Sequence, residues 1–463
     1  MGAFKAYDIR GIYNKDFNRN DVYAIGFFLP ELLHTDKVLV GRDARTSSDE
    51  IFEALTRGII DAGADVYDLG LATTPLVYYA TACFGFDASV QITASHNPKE
   101  YNGLKISKTD CLPVGYDTGL GQLESWLINN KEIKTSDRKG KTIPFDAKTS
   151  YVAFLKKYLP NISSLNMAID CSNGMVSLFA REIFGNTPHY LFENIDCSFP
   201  NHEPNPLETE NTEPLRYFVK QNQCDIGLIF DGDADRVMFV DEAGNFISPD
   251  LMIAIAGMYF SKKMAVGSKC FADCGCDSMQ PHKALIDIRT SKSVKNYLKK
   301  TGYQVEMWRV GRAYAAIKLR EINGLFGGEL AGHYYFRDFY YSDSGLLAAL
   351  ILLDVIAGEK AKGNSVSKIL QNVSHGYFNS GEINFRIGQK EQAMEALRSH
   401  FCTLENPVAF YDFDGYRIEF NDWWFNVRPS NTEPYLRFIA EATDASLLKT
   451  KIEEVKKIIQ QFS

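Results

Sequence analysis

Short apolar runs alternate with segments of helical spacing along most of the chain. Val38-Leu39-Val40 reads as a buried strand ending at Gly41-Arg42-Asp43. Ser47 with Glu50 three residues on is a capping-box pattern, and Ile51, Leu55 and Ile59 follow at helical spacing up to Gly63. Asp65–Leu69 and Ala88–Ile92 are further strands. A βαβ alternation of this kind predicts a mostly parallel sheet flanked by helices. The spacing then predicts a helix around Tyr151–Tyr158, a strand Met167–Asp170 with a turn Cys171–Gly174, and a strand Cys270–Asp273 running into Cys274-Gly275-Cys276. Strand, small polar turn and helix thus occur three times, which reads as three similar α/β units in tandem. After about Gly363 the pattern changes. Glu382–Ile387 and Tyr416–Phe420 alternate like half-exposed strands, Trp423–Val427 is another strand, and Leu448, Ile452, Val455 and Ile459 form one helix stripe. This predicts a smaller α+β unit.

A chain of 463 residues is too long for one compact domain, and three or four are expected. The polar, glycine-bearing stretch Asp137–Lys141 is a candidate boundary. Apolar residues at 45% and charged ones at 23% are ordinary for a soluble globular protein. The net charge of -8 argues against nucleic acid or an anionic membrane as partner. Met1–Lys5 runs directly into Ala6–Arg10 without a secretory pattern, Ala6 spoils a myristoylation motif, and no apolar run spans a bilayer. Nine scattered cysteines, an odd number, suggest reduced thiols and a cytoplasmic setting. Cys274 and Cys276 form the only close pair, without metal-ligand spacing.

Four stretches carry candidate chemistry. Thr93-Ala94-Ser95-His96-Asn97-Pro98 follows the Ala88–Ile92 strand, and the residue before the proline is pushed out of helical geometry, which forces a turn. It presents a serine hydroxyl beside an imidazole, a place for a nucleophile or a phosphate carrier, or simply a capping serine. Asp231-Gly232-Asp233-Ala234-Asp235-Arg236 follows the strand Ile226–Phe230, with carboxylates at alternate positions able to converge. At about 4 Å and an effective dielectric near 20, each like-charge pair costs roughly 4 kcal/mol, so a hard cation such as Mg²⁺ or Ca²⁺ is expected among them. Glu242 falls at the twelfth position of an EF-hand loop, but Arg236 stands where that loop needs glycine and the flanks read as strands. Gly327-Gly328-Glu329-Leu330-Ala331-Gly332-His333 combines close backbone approach, a carboxylate for sugar hydroxyls and an imidazole for proton transfer. Arg428-Pro429-Ser430-Asn431-Thr432-Glu433-Pro434 offers a guanidinium, polar side chains and successive amides to a phosphate dianion, with Arg437 as a second charge.

Together with Tyr7-Asp8-Ile9-Arg10-Gly11 and Asn102-Gly103-Leu104-Lys105, these stretches occur in the order seen in the α-D-phosphohexomutases. The chain resembles that family over nearly its whole length, in particular the phosphomannomutase/phosphoglucomutase branch. The resemblance implies four domains around a central cleft: three related α/β units with mixed sheets and a smaller C-terminal α+β domain. On this reading the divisions are 1–145 with the phosphoserine loop, 146–252 with the metal loop, 253–368 with the sugar-binding loop and 369–463 with the phosphate-binding loop. It implies that Ser95 carries a phosphoryl group and that Asp231, Asp233 and Asp235 bind Mg²⁺ with it.

The same resemblance makes Glu329 and His333 sugar contacts and Arg428, Ser430, Asn431 and Thr432 a clamp for the phosphate that is not reacting. His333 is the candidate general base, Lys105 a proton or charge partner, Arg236 a charge-neutralising group and His96 an orienting group. Arg10 joins the catalytic set, and Tyr7, Arg289, Gly311, Arg312, Ala331 and Arg437 join the substrate-binding set. Ala331 stands where the family often has serine, and Arg312 where many members have histidine; both bear on sugar preference.

The implied reaction interconverts hexose 1-phosphate and hexose 6-phosphate, of mannose, glucose or both, through a hexose 1,6-bisphosphate that also serves as activator. The implied partners are small sugar phosphates, and the chain is expected to be a monomer or homodimer. Alternatives are a phosphoglucosamine mutase, a catalytically silent sugar-phosphate binding protein and a metal-dependent phosphatase.

Overall fold

The computed structural model describes residues 2–265, 281–430 and 435–462. The expected strand at Cys270–Asp273, the Cys274–Cys276 pair and Asn431–Pro434 lie outside the described residues. The six described cysteines are free thiols. Among the described residues no helix is long and apolar enough to cross a membrane.

The first sheet contains β1 (Ile9–Ile12), β2 (Lys37–Arg42), β3 (Asp65–Leu71), β4 (Ala88–Ile92), β5 (Tyr101–Lys108), β6 (Leu112–Pro113) and β7 (Thr142–Pro144). Its order is β1-β5-β4-β2-β3-β7, with β6 on β5. The second contains β8 (Met167–Asp170), β9 (His189–Leu191), β10 (Ile226–Phe230), β11 (Val237–Asp241) and β12 (Phe246–Ile247), in the order β12-β11-β10-β8-β9. The third contains β13 (Lys283–Asp287), β14 (Gln304–Trp308), β15 (Phe326–Gly328), β16 (Tyr334–Phe336) and β17 (Ser342–Asp343), in the order β14-β13-β15-β16-β17.

These three sheets repeat one topology. A first strand (β2, β8, β13) lies between a second and a third, both parallel to it, and a fourth strand turns back antiparallel beside the third. The sheets are therefore mixed rather than mostly parallel. The reason is loop length: a parallel return needs a crossover of about a dozen residues or more. The connections Thr93–Glu100, Asp231–Arg236 and Glu329–His333 are all shorter than that. Three of the four chemistry-bearing stretches are thus the same connection in three successive units.

The fourth sheet is antiparallel throughout: β18 (Phe378–Asn379), β19 (Ile383–Arg386), β20 (Ala409–Tyr411), β21 (Tyr416–Glu419), β22 (Trp423–Pro429) and β23 (Tyr435–Ala442). Helices Lys390–Leu404 and Ala445–Ile459 pack on it, and Phe401, Trp423, Phe425, Leu448 and Val455 share its core. A single larger core joins the first three units, from Tyr78 and Tyr151 through Leu228 and Phe326 to the helix Gly345–Lys360. That helix is apolar all round and accordingly buried.

One local expectation fails. Ser47 precedes the helix Ser48–Asp61 but makes no capping hydrogen bond; it has helical φ and ψ, and its hydroxyl instead accepts from Asn102 Nδ2 at 2.9 Å. A buried amide from β5 outcompetes the local backbone for that oxygen.

Candidate functional site

The loop after β4 is held by a residue that pattern reading passed over. Arg45 is buried, and its guanidinium donates to the carbonyl oxygens of Ser95 (2.9 Å), Asn97 (2.7 Å), Pro98 (2.7 Å) and Tyr101 (3.0 Å). Its charge is met by Asp43 at 3.1 Å. Ser95 itself takes a left-handed backbone (φ 52°), with its amide donating to Thr93 Oγ1 at 2.9 Å. This turns its hydroxyl off the strand axis to donate to Asp231 Oδ2 at 2.8 Å. His96 Nδ1 lies 3.4 Å from the same hydroxyl. Burial, then the positive charges of Arg236, Arg10 and Lys105, push the His96 imidazole well below its ordinary range, so it is neutral. Arg10 reaches the same loop through Asn97 Oδ1 (2.7 Å) and is paired with Asp8 (2.5 Å).

The Asp231–Arg236 loop meets this serine from the second unit. Asp231, Asp233 and Asp235 are fully buried, and each has a carboxylate oxygen within 4.8 Å of the others. Ala234 takes φ 63°, which folds the short loop so that alternate side chains converge. Lys105 Nζ, from β5, bridges Asp233 Oδ2 and Asp235 Oδ2 at 2.6 Å each. Thr74 donates its backbone N–H to Asp233 O (3.0 Å) and its hydroxyl to Asp233 Oδ2, another partner that no local pattern marks.

The charges are not evenly matched. Burial, and then the charges of Asp235 and Asp233, push Asp231 well above the usual carboxylate range. Burial pushes Asp235 up as well, but Lys105 and His333 outweigh it and hold that group low. Lys105 sits above its ordinary range because the two aspartates outweigh its own burial. The other oxygens, Asp233 Oδ1 and Asp235 Oδ1, are buried and accept no hydrogen bond. Orphaned carboxylate oxygens beside an over-charged trio are what a hard divalent cation would satisfy, so these residues could hold one. The flanking β10 and β11 are strands, which removes the EF-hand alternative.

The third unit closes the site from the other side. Arg236 and His333 form an antiparallel bridge, so the acidic loop and the glycine-rich loop meet along their backbones. Arg236 Nε donates to His333 Nε2 at 3.0 Å, and His333 Nδ1 lies 2.6 Å from Asp343 Oδ2. A ring whose Nε2 accepts must carry its proton on Nδ1. Glu329 is buried and raised above the usual carboxylate range by that burial; its Oε1 accepts from Tyr335 Oη (2.9 Å) and the Gly311 amide (3.3 Å). Gly311 has φ 124°, and a Cβ there would lie 2.6 Å from the Tyr7 ring, so glycine is required by both backbone and neighbour. Tyr7 donates to Val310 O at 3.2 Å. Arg312 pairs with Asp343 at 3.2 Å and stacks over Tyr78 at 3.7 Å. Ala331 is half-buried within the loop.

A cluster of arginines lies where the third and fourth units meet. Arg428 on β22 and Arg437 on β23 are direct cross-strand partners, an unfavourable placement for like charges unless an anion is near. Glu382 answers in part, 2.7 Å from Arg437 and 3.4 Å from Arg289. Arg428 meets Asp414 at 3.4 Å, and burial followed by the charge of Arg289 lowers it from its ordinary range. Arg289 leans on Asp287 at 2.6 Å. Arg417 steadies its loop by donating to Ile288 O (2.8 Å) and Thr290 O (2.7 Å). Ser430 closes the hairpin by donating its amide to Tyr435 O at 2.9 Å. Asn431 and Thr432 lie outside the described residues.

Comparison with known proteins agrees over the full length. Four sequence-family models match in order: phosphoglucomutase/phosphomannomutase alpha/beta/alpha domain I over residues 1–121, domain II over 149–244, domain III over 249–377 and the C-terminal domain over 382–458. A phosphomannomutase from Vibrio cholerae is 32% identical, the match covering 100% of this chain and 99% of the relative. A phosphomannomutase from Methanocaldococcus jannaschii is 33% identical over 99% of this chain and 98% of the relative. The crystal structure of a phosphoglucomutase/phosphomannomutase family protein from Burkholderia thailandensis superposes with a TM-score of 0.84 at 26% identity, covering 99% of this chain and 97% of that one.

Proposed function

Because the chain belongs to the phosphoglucomutase/phosphomannomutase family, whose members are phosphohexomutases, we propose that this isomerase moves a phosphoryl group between O1 and O6 of mannose phosphate, glucose phosphate or both. The observation that carries the reading is the 2.8 Å contact between the Ser95 hydroxyl and Asp231, inside an acidic trio with unsatisfied oxygens. A serine placed there can hold a phosphoryl group beside a cation.

In this proposal Ser95, Asp231, Asp233 and Asp235 hold Mg²⁺, which when bound neutralises charge on the phosphoryl oxygens. Phosphorylated Ser95 passes its phosphoryl group to the free hydroxyl of a hexose monophosphate. The serine Oγ–P bond breaks as the sugar O–P bond forms, and the sugar proton passes to His333 Nε2, the ring nitrogen that bears the lone pair, as Arg236 gives up its hydrogen bond there and turns to the phosphoryl oxygens. Lys105, Arg236 and Arg10 supply positive charge around the transferring group, and neutral His96 orients the serine. The bisphosphate then turns over, and the reverse step returns its other phosphoryl group to Ser95 and the proton to the sugar. Glu329, Tyr7, the Gly311 amide and Ala331 are assigned to the sugar side, and Arg312, paired with Asp343, borders it. Arg289, Arg428, Ser430, Asn431, Thr432 and Arg437 are assigned to the phosphate that is not reacting.

Four domains, divided at 145, 252 and 368, would let the last one hinge over the cleft. A cytoplasmic monomer or homodimer with hexose 1,6-bisphosphate as activator completes the proposal.

Side-by-side assays with mannose 1-phosphate, glucose 1-phosphate and glucosamine 1-phosphate, with and without the bisphosphate, test it. Expected is hexose 6-phosphate formation from the first two substrates, faster with activator and without release of inorganic phosphate. Stoichiometric phosphate release would make the protein a phosphatase, preference for the amino sugar a glucosamine-phosphate mutase, and absence of turnover a binding protein.

A further inference from the structure

Asp343 is the last residue of β17 and is fully buried. Its two oxygens are divided between two partners. Oδ2 lies 2.6 Å from His333 Nδ1, and Oδ1 lies 3.2 Å from Arg312 Nε. The Arg312 guanidinium is in turn stacked on Tyr78 at 3.7 Å, with one Nη 3.9 Å from Cys111 Sγ. Tyr78 belongs to the helix Thr74–Cys83, whose first residue binds Asp233. A planar cation wedged between an aromatic face and a carboxylate has little freedom left. Its side chain is 11% exposed. The chain of contacts Arg312, Asp343, His333, Arg236 therefore holds both ring nitrogens of His333: Nδ1, also 3.8 Å from Asp235 Oδ1, against Asp343, and Nε2 against Arg236, whose Nε lies 3.7 Å from Asp231 Oδ2.

We propose that Asp343 is the positioning residue of His333, and that Arg312 acts through Asp343 rather than through the sugar. A carboxylate clamped at its far oxygen keeps the imidazole proton on Nδ1 and the lone pair on Nε2, which accepts from Arg236 here and would accept from the reacting hydroxyl in the transfer step, as second partners of catalytic histidines arrange. The role rests on the reading of His333 as proton acceptor given above. Arg312 thereby serves the transfer step and not the choice of hexose.

The test combines histidine ¹⁵N NMR with steady-state kinetics. In the wild-type protein the His333 resonances, assigned by their loss in His333→Gln, are expected to show the Nδ1–H tautomer. Asp343→Asn is expected to mix the tautomers and lower kcat on the order of 10²-fold while leaving KM nearly unchanged. Arg312→Lys keeps the charge but loses the fork and the stacking; kcat falls about 10-fold, again at nearly constant KM. A raised KM with kcat retained in Arg312→Lys would assign Arg312 to the sugar and overturn the inference, as would an Nε2–H tautomer in the wild type. The wild-type tautomer decides the matter even if Asp343→Asn does not fold. Absence of mutase turnover in the wild type would instead sink the proposed reaction, and the NMR result would still stand apart from it.

Discussion

A side chain at Gly232 would begin 2.5 Å from the carbonyl oxygen of Ser95. The serine loop and the acidic loop come from different units, and bare backbone is what lets them touch. The serine side cannot yield, because that carbonyl is also bound by Arg45 at 2.9 Å. Gly232→Ala is therefore expected to destabilise by roughly 1–3 kcal/mol and to push the hydroxyl away from Asp231. Turnover should fall at least about 10-fold, since small misplacements at reacting centres cost that much or more. Thermal melting and steady-state rates check both effects; an unchanged rate would mean that the two loops need not touch.

Ser95→Ala removes the proposed phosphoryl carrier and a single side-chain donor to Asp231. Loss of turnover on the order of 10³-fold or more is expected, with little change in melting temperature. Mass spectrometry should find a phosphoryl group on Ser95 after incubation with hexose 1,6-bisphosphate, and none on the variant. Rates near wild type would end the carrier role.

Lys105 is the cation that bridges Asp233 and Asp235. In Lys105→Met those buried carboxylates lose that partner, and a cost of about 3–5 kcal/mol is expected without metal. Added Mg²⁺ should raise the melting temperature of this variant more than that of the wild type, because the ion then meets more uncompensated charge. Equal shifts in the two proteins would place the ion elsewhere. Chelation of the wild type should abolish turnover, and Mg²⁺ should restore it.

Away from the site, His202 Nε2 lies 3.2 Å from the buried Asp170. Burial lowers the His202 pKa, but the hydrogen bond and charge of Asp170 outweigh it and leave it raised. A raised folded-state value stabilises fully below the unfolded one, near 6.5, and that stability is lost as pH rises through the folded value. Asp170 is itself raised, by burial, so its contribution runs in the same direction at lower pH. The melting-temperature advantage of wild type over His202→Gln should be full below about pH 6.5 and shrink as pH rises above it. A gap that grows with pH would contradict the pairing.

Much of this fold is legible one segment at a time. The strands at Val38, Ala88, Met167, Ile226 and Trp423 announce themselves by apolar runs closed by small polar residues, and each occurs close to where it is expected. Tertiary context overrides the local signal at Ser47, where Asn102 takes the oxygen that a capping box needs, and in the sheets, where short connections impose antiparallel returns.

The chemistry of the serine, the aspartates and the glycine-rich loop is carried by residue types within a few positions of one another, since turn geometry and carboxylate spacing are properties of a short backbone stretch. Arg45, Thr74, Asp343 and Asp414 carry no such mark. Each is a buried or half-buried polar group with a partner 31 residues or more away along the chain, and only packing decides which oxygen or nitrogen it meets. The order of residues specifies the loops; the folding of three similar sheets against one another decides that those loops share one centre, because a buried charge has to find its counter-charge wherever the folded chain brings one near.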